Sequence, residues 1–194
     1  DLFNLHVQAY PKYGSEKKGL PTTYFMTAGP EPILTHSELE FVEFVALNDV
    51  NAFNLSNPLT GLKDQGTLFI QTHLTEEEAI LDSIPKWAKH TLIKNQMKLF
   101  ALDTKEISRQ VSTRPELIQR MQGIVLLGVF LRVTPFSERF NMDKKSLMEG
   151  VEKSIRKYFG KKGEQIVLDN LKAVSMGYEN VISVNLKSQK GVLV

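Results

Sequence analysis

Three short apolar runs alternate with helix-sized segments, and this alternation constrains the fold more than any other feature of the chain. The runs are FVEFVALN (41–48), GTLFIQT (66–72) and MKLFALD (97–103). Nearly continuous apolar runs of this length are typical of parallel strands, and FVEFVALN is predicted to be a central strand covered on both faces. Parallel neighbours require crossover connections, which the intervening segments can supply as helices. We therefore predict an α/β fold with a doubly wound, mostly parallel, Rossmann-like sheet and C-terminal helices.

Three helical segments carry boundary or facing signals. TEEEAILDSIPKWAKH begins with Thr75, which suits an N-cap before an acidic first turn, and Pro85 is expected to end or kink that helix. DKKSLMEGVEKSIRKYF begins with Asp143 as a predicted cap. In KGEQIVLDNLKAVSMGYENV, the residues predicted to face inward are Ile166, Leu168, Leu171 and Val174.

The most apolar helix is predicted within RPELIQRMQGIVLLGVFLRV. Its apolar stretch, GIVLLGVFL (123–131), is too short to span a bilayer, which takes about 20 apolar residues. A helix that is apolar all round needs cover on several sides, which favours assembly over a free monomer. Gly123 and Gly128 would let a neighbouring element approach closely. In the helical segment TEEEAILDSIPKWAKH, Trp87 is predicted to pack in the core.

The composition excludes several kinds of site. The chain has no cysteine, which excludes disulfides, Cys-ligated zinc and iron–sulfur clusters held by this chain, and a reducing cytoplasm is the expected location. With 24 basic and 22 acidic residues, the net charge of +2 is too balanced for a general nucleic-acid or membrane-surface binder. The four histidines have no ligand-like spacing, so no metal site is predicted. No nucleophile lies beside a base, and no catalytic residue is assigned.

Polar residues follow each of the three predicted parallel strands. They are Asn48 and Asp49, Thr72 and His73, and Asp103 and Thr104. In open α/β sheets, ligands bind at the carboxyl ends of the parallel strands, which is where these residues lie. Helix capping is nevertheless the preferred interpretation for Asn48 or Asp49 and for Asp103, and a surface position is preferred for His73.

Near the start, two strand-like runs flank a basic loop. FNLHVQA (3–9) alternates as a half-buried strand would, and TTYFMTA (22–28) is rich in β-branched and aromatic residues. The loop YPKYGSEKKGLP (10–21) is too long for a tight hairpin and carries three lysines, two glycines and two prolines. From physical chemistry alone, a solvated basic loop is the preferred interpretation.

The loop and its flanks, VQAYPKYGSEKKGLPTTYFMTAGPEPI, resemble a stretch of the gamma subunit or gamma domain of 2-oxoacid:ferredoxin oxidoreductases. These are thiamine-diphosphate enzymes that include the pyruvate and 2-oxoglutarate synthases. The segments after the loop follow the order seen in the family: VALND, then GTLFIQT, then LDTKEI, and then the closing helices. The resemblance therefore covers most of the chain. The matching positions in the loop and the run before it are Gln8, Tyr13, Gly14, Glu16, Lys17, Lys18, Gly19 and Pro21.

The resemblance implies a gamma component of a complex that oxidatively decarboxylates a 2-oxoacid, passes electrons to ferredoxin or another acceptor, and usually forms an acyl-coenzyme A. Its partners would be thiamine-binding alpha and beta subunits or domains and a ferredoxin-like cluster subunit. The complex would hold thiamine diphosphate, Mg²⁺ and [4Fe–4S] clusters, none of them bound by this chain alone. The loop would lie at the boundary with the thiamine domains, and its candidate coenzyme A contacts are Tyr13, Gly14, Glu16, Lys17, Lys18 and Gly19.

The sequence departs from the family in lacking a glycine-rich GGQG turn after a first strand, so we expect further residues ahead of Asp1. A gamma-type domain is assigned to residues 1–182 and a tail or linker to residues 183–194. The choice of 2-oxoacid is left open by the sequence. The rival interpretation is a stand-alone Rossmann-like module that binds a nucleotide or a protein without redox chemistry.

Overall fold

The chain forms a four-stranded, mostly parallel sheet and a separate two-stranded ribbon. The structure, a computed structural model, describes residues 3–12, 22–34 and 38–187. Antiparallel strands β1 and β2 make the ribbon, and the main sheet has the order β3-β4-β5-β6, parallel except for β6. The strands are β1 His6–Lys12, β2 Thr23–Gly29, β3 Val42–Leu47, β4 Leu62–Gln71, β5 Lys98–Leu102 and β6 Ile182–Val184.

Helices cover both faces of the main sheet, which confirms the predicted α/β fold. Helices α1, α2 and α3 share one hydrophobic cluster with the sheet, and α4, α5 and α8 share another on the opposite face. Helix α7 packs on the outer side of α8. The helices are α1 Ala52–Leu55, α2 Glu77–Asp82, α3 Lys86–Lys94, α4 Thr104–Val111, α5 Ile118–Val133, α6 Phe136–Arg139, α7 Lys144–Phe159 and α8 Glu164–Asn180.

Strand β4 is the buried centre of the sheet. Leu68, Phe69 and Ile70 are each 0% exposed, and because side chains alternate along a strand they supply both hydrophobic clusters. The expectation that FVEFVALN forms a central strand is wrong, since β3 lies at the edge of the described sheet. Its apolar side chains instead serve the two faces, with Val45 in one cluster and Phe44 in the other.

Helices α5 and α8 meet at a close contact formed by two glycines. A Cβ placed on Gly128 would overlap the carbonyl oxygen of Val174, and a Cβ placed on Gly177 would overlap the carbonyl oxygen of Val125. The backbones can therefore approach only because both positions lack a side chain. The close packing predicted for Gly128 is confirmed, whereas Gly123 faces open space.

The helix boundaries follow the sequence signals in two cases and depart from them in one. Asp143 caps α7 by accepting a hydrogen bond from the Ser146 amide at 2.8 Å, and Pro85 separates α2 from α3, as predicted. Thr75 is not the N-cap of α2, because Glu76 holds that position and makes no side-chain capping bond.

Two predicted core residues are exposed. Trp87 is 42% exposed and packs edge-on against the ring of Phe53. Leu168 is 47% exposed because the buried stripe of α8 runs through Val167, Val174 and Gly177 on the other side of the helix.

The end of the described chain joins the sheet. Strand β6 pairs with β5, and Val184 lies opposite Leu99 in the buried core, so the sheet continues two residues past the boundary assigned at 182. Residues 188–194 of the predicted tail lie outside the described residues.

Within the described ranges, no helix combines the length and the apolar character needed to cross a membrane.

Candidate functional site

One face of the β1–β2 ribbon is apolar and exposed. The register pairs Val7 with Ala28, Ala9 with Met26 and Pro11 with Tyr24, and we call these residues the ribbon face. Val7 is 59% exposed, Tyr24 67% and Met26 48%. None of the ribbon-face residues carries a charge. Contiguous exposed apolar groups of this kind mark interaction surfaces.

The opposite face of the ribbon is the more buried one. Gln8, Tyr10, Phe25 and Thr27 are half-buried there, and the rings of Tyr10 and Phe25 lie 5.4 Å apart. The sequence predicted a half-buried strand at 3–9, whose apolar residues would be expected to face the protein. The structure has the reverse orientation, since Val7 and Ala9 point to solvent.

Contacts at both ends of β1 hold the ribbon in place. The ring of Phe3, three residues before β1, stacks at 5.2 Å on Phe136 in helix α6 and at 5.0 Å on Phe140 just after that helix. At the other end, the ammonium of Lys12 lies 2.7 Å from a carboxylate oxygen of Glu38. The ribbon face is thus presented by a strand pair whose root is fixed to the body of the protein.

The sequence-predicted coenzyme A residues belong to the segment between the two ribbon strands. Lys12 and Thr23, which flank that segment, are paired across the ribbon. The predicted residues themselves, Tyr13, Gly14, Glu16, Lys17, Lys18 and Gly19, lie outside the described residues.

A hydrogen-bond network closes the carboxyl edge of the main sheet. The carboxamide oxygen of Gln71, at the end of β4, accepts from both the amide and the hydroxyl of Thr104, each at 2.6 Å. The Gln71 amide nitrogen donates to Asp103 at 3.2 Å. Gln71 and Thr104 are 8% and 4% exposed, so these bonds are shielded from water.

The same network confirms Asp103 as the cap of α4. Its carboxylate accepts from the amides of Lys105 and Glu106 at 3.1 and 3.0 Å. Within the described ranges, every buried side-chain nitrogen and oxygen has a hydrogen-bond partner. The buried polar groups at the ends of β4 and β5 therefore satisfy one another.

The other strand-end residues have structural or exposed positions. Asp49 accepts a hydrogen bond from the Asn51 amide at 2.9 Å in the turn before α1, but Asn51 is the N-cap of α1, so the prediction that Asn48 or Asp49 caps this helix is wrong. His73 is exposed, as preferred. Across the part of the chain that the structure describes, no cluster of three or more histidine or acidic side chains could hold a metal ion.

A buried carboxylate that the sequence analysis missed links α8 to the segment after α4. Asp169 is 5% exposed and accepts from the amide and hydroxyl of Thr113 at 3.0 and 2.6 Å and from Gln165 at 2.8 Å. Burial alone would raise the pKa of Asp169, but these hydrogen bonds lower the pKa below its ordinary value. The carboxylate is therefore a charged structural acceptor at neutral pH.

Comparison with protein families gives one match that spans nearly the whole chain. The model described as pyruvate ferredoxin/flavodoxin oxidoreductase matches residues 1–180. The crystal structure of the pyruvate oxidoreductase subunit PORC from Thermotoga maritima is similar, with a TM-score of 0.63 at 23% identity over 94% of this chain and 83% of that one. At this identity the likeness supports the fold alone.

Curated relatives include both short subunits and long chains. Pyruvate synthase subunit PorC of Thermotoga maritima is 30% identical over 177 residues, covering 91% of this chain and 79% of that protein. The common subunit gamma of the pyruvate/ketoisovalerate oxidoreductases of Pyrococcus furiosus is 25% identical, with 90% and 80% covered. Pyruvate dehydrogenase [NADP(+)] of Cryptosporidium parvum is 27% identical over 96% of this chain, which spans only 9% of that relative.

Proposed function

The chain belongs to the pyruvate ferredoxin/flavodoxin oxidoreductase family, and from that premise we propose that it is the gamma component of a thiamine-dependent 2-oxoacid oxidoreductase. The complex oxidatively decarboxylates a 2-oxoacid, passes the electrons to ferredoxin or another acceptor, and delivers the acyl group to coenzyme A. The observation that carries the proposal is the family match over residues 1–180. Two similar proteins, which this chain covers to 79% and 80%, are named as a pyruvate synthase subunit and as a common gamma subunit of two oxidoreductases, which supports it.

In this proposal the chain contributes assembly rather than bond-breaking groups. The buried polar side chains at the strand ends are bound to one another. With no cysteine in the sequence, the chain offers no thiolate for a [4Fe–4S] cluster. Thiamine diphosphate, Mg²⁺ and the clusters would accordingly be held by thiamine-binding and ferredoxin-like partners.

The choice of 2-oxoacid is assigned to those partners as well. The name of the Pyrococcus furiosus relative describes one gamma subunit common to pyruvate and ketoisovalerate oxidoreductases. A shared gamma subunit fits a component that does not select the substrate. We extend this arrangement to the present chain as part of the proposal.

Purification of the native assembly tests the function. We expect the chain to elute together with a thiamine-binding polypeptide, and the particle to reduce ferredoxin or a viologen dye in the presence of a 2-oxoacid. A panel containing pyruvate, 2-oxoglutarate and branched or aryl 2-oxoacids would then identify the substrate. Elution of the chain alone, with no thiamine-binding partner, would count decisively against the proposal.

The loop lysines are proposed to attract coenzyme A. Lys17 and Lys18 are adjacent cations within a stretch that also contains Gly14 and Gly19, which permit close backbone approach. An exposed ion pair contributes up to about 1 kcal/mol, so losing both lysines should weaken the apparent affinity for coenzyme A by roughly tenfold.

Steady-state kinetics of the complex would measure this change. The double variant Lys17→Ala/Lys18→Ala should raise the KM for coenzyme A and leave the KM for the 2-oxoacid unchanged. Lys161→Ala/Lys162→Ala is the matched control, because these two adjacent lysines are exposed beyond the end of α7. Equal coenzyme A affinity in both double variants would exclude the contact.

A further inference from the structure

Four exposed lysines lie close together at the end of helix α7. They are Lys153, Lys157, Lys161 and Lys162, and we call them the lysine patch. The first three are spaced four residues apart, and the 3₁₀ turn Gly160–Lys162 follows α7 without a break. Side chains four residues apart on a helix are neighbours on one face, about 5–6 Å from each other. The lysine patch is therefore a continuous basic surface.

The stretch that contains the lysine patch is more basic than the chain as a whole. Residues 152–164 hold five basic and two acidic side chains, a net charge of +3, against +2 for the whole chain. Both acidic side chains accept hydrogen bonds from Arg156, Glu152 at 2.8 Å and Glu164 at 2.9 Å. The net positive charge of the stretch therefore comes from the lysine patch, and outside the stretch acidic side chains outnumber basic ones by one.

Two aromatic rings are interleaved with these lysines. Tyr158 is 63% exposed, and the ammonium of Lys157 lies 5.5 Å from the centre of its ring. The ammonium of Lys162 lies 5.3 Å from the centre of the Phe159 ring. These cation–π contacts hold two of the lysine side chains along the surface, and tyrosine is enriched in protein interfaces. The surface thus combines ordered cations with an aromatic group that a protein partner could cover.

We propose that the lysine patch docks an electron-carrier protein with an acidic surface, which accepts the electrons that the complex releases. This inference rests on the proposed function, in which ferredoxin or another acceptor receives those electrons. The reduced cluster of a partner would pass its electron to the docked carrier, so the present chain undergoes no redox change. Its contribution is the positive charge that attracts the carrier.

The size and charge of the patch suit a transient carrier better than a permanent subunit. Permanent interfaces bury large and mainly apolar surfaces, whereas electron-transfer encounters are among the smallest specific contacts. Charges on such a contact raise the association rate through long-range attraction and contribute less to the lifetime of the complex. A carrier that leaves after each transfer needs this combination. A nucleic acid is a poorer occupant, because the basic surface is confined to one helix end.

Charge changes in the patch test the docking in the purified complex. Lys153→Glu/Lys157→Glu reverses two patch charges, and Lys153→Gln/Lys157→Gln removes them. Lys86→Glu/Lys94→Glu is the matched control, because it reverses two exposed lysines of α3. Ferredoxin and flavodoxin from the same organism would each be titrated against every complex by calorimetry, at low and at high salt concentration. Circular dichroism of each free variant would record its folding.

The expected result is a graded loss of carrier affinity. At low salt concentration, the dissociation constant of the carrier should rise at least about tenfold in the glutamate pair, rise less in the glutamine pair, and stay at the wild-type value in the α3 control. High salt concentration should weaken carrier binding to the wild-type complex and reduce the differences among the variants, since salt screens exposed charges. If the glutamate pair does not fold, the glutamine pair decides the test.

Three outcomes would overturn the docking proposal. Carrier affinity that is equal in the patch variants and the α3 control, or independent of salt in the wild type, would refute it and leave the proposed function intact. Binding of the chain to phosphatidylserine vesicles that is lost in the glutamate pair, with carrier affinity unchanged, would assign the patch to a membrane surface. A wild-type complex that reduces neither a carrier nor a viologen dye with any 2-oxoacid would refute the proposed function and the docking together.

Discussion

Replacing Gly128 with valine is expected to destabilise the protein by about 3 kcal/mol or more, at the upper end of the cost of overpacking a core. The added side chain would overlap the backbone of Val174 and Tyr178, and backbone atoms of a packed helix cannot turn aside as a flexible side chain can. Relief requires α5 and α8 to separate, which would also disturb the contact of Gly177 with Val125. Denaturant unfolding followed by circular dichroism would measure the loss.

The same helix contains a matched control. Gly123 lies in α5, and a Cβ placed there would meet nothing within 4 Å. Gly123→Ala should therefore stabilise the protein by roughly 0.5–1 kcal/mol, since alanine is the better helix former. If Gly128→Val proved as stable as the wild type, the close approach of α5 and α8 would be incorrect.

Replacing Gln71 with leucine is expected to cost about 2–4 kcal/mol, because it leaves two buried donors of Thr104 without an acceptor. Those donors are the amide and the hydroxyl that now share the Gln71 oxygen at 2.6 Å. The change also removes the bond to Asp103, which caps α4. Equilibrium unfolding would give the free-energy difference, and hydrogen exchange of α4 amides should rise with it.

Gln110→Leu tests whether burial causes that cost. Gln110 lies on the exposed side of α4 and donates to Glu106 at 3.1 Å. Removing this solvated hydrogen bond should change the stability by no more than about 0.5 kcal/mol. Similar losses in the two leucine variants would mean that the strand-end network is not shielded from water.

The predicted strands of the main sheet were confirmed because their signal is local. The apolar run of β4 at residues 66–71 is buried throughout, and Leu99, Ala101 and Leu102 of β5 are buried as well, so composition and spacing suffice to identify both strands. The mostly exposed start of β4 at residues 62–65 was not predicted. The caps at Asp103 and Asp143 are local as well, since each accepts from amides two or three residues away. The edge position of β3 depends on which strands pair, and local pattern does not contain that information.

The remaining departures share a physical cause. An apolar pattern identifies a face that avoids water but not what covers it, so Trp87 was wrongly predicted to pack in the core, and the alternation at 3–9 did not reveal that Val7 and Ala9 face solvent. Gly123 and Gly128 lie in the same helix and look equivalent in the sequence. They differ because α8 packs against Gly128 and not against Gly123. The bonds of Gln71 to Thr104 and of Asp169 to Thr113 join residues 33 and 56 positions apart, which no short motif encodes.

The exposure of Val7, Tyr24 and Met26 also bears on how the protein must be produced. A chain whose ribbon face stays uncovered presents an apolar patch, which is an aggregation hazard. If the chain is a separate subunit of the proposed complex, co-expression with the other components should therefore raise the yield of non-aggregated protein.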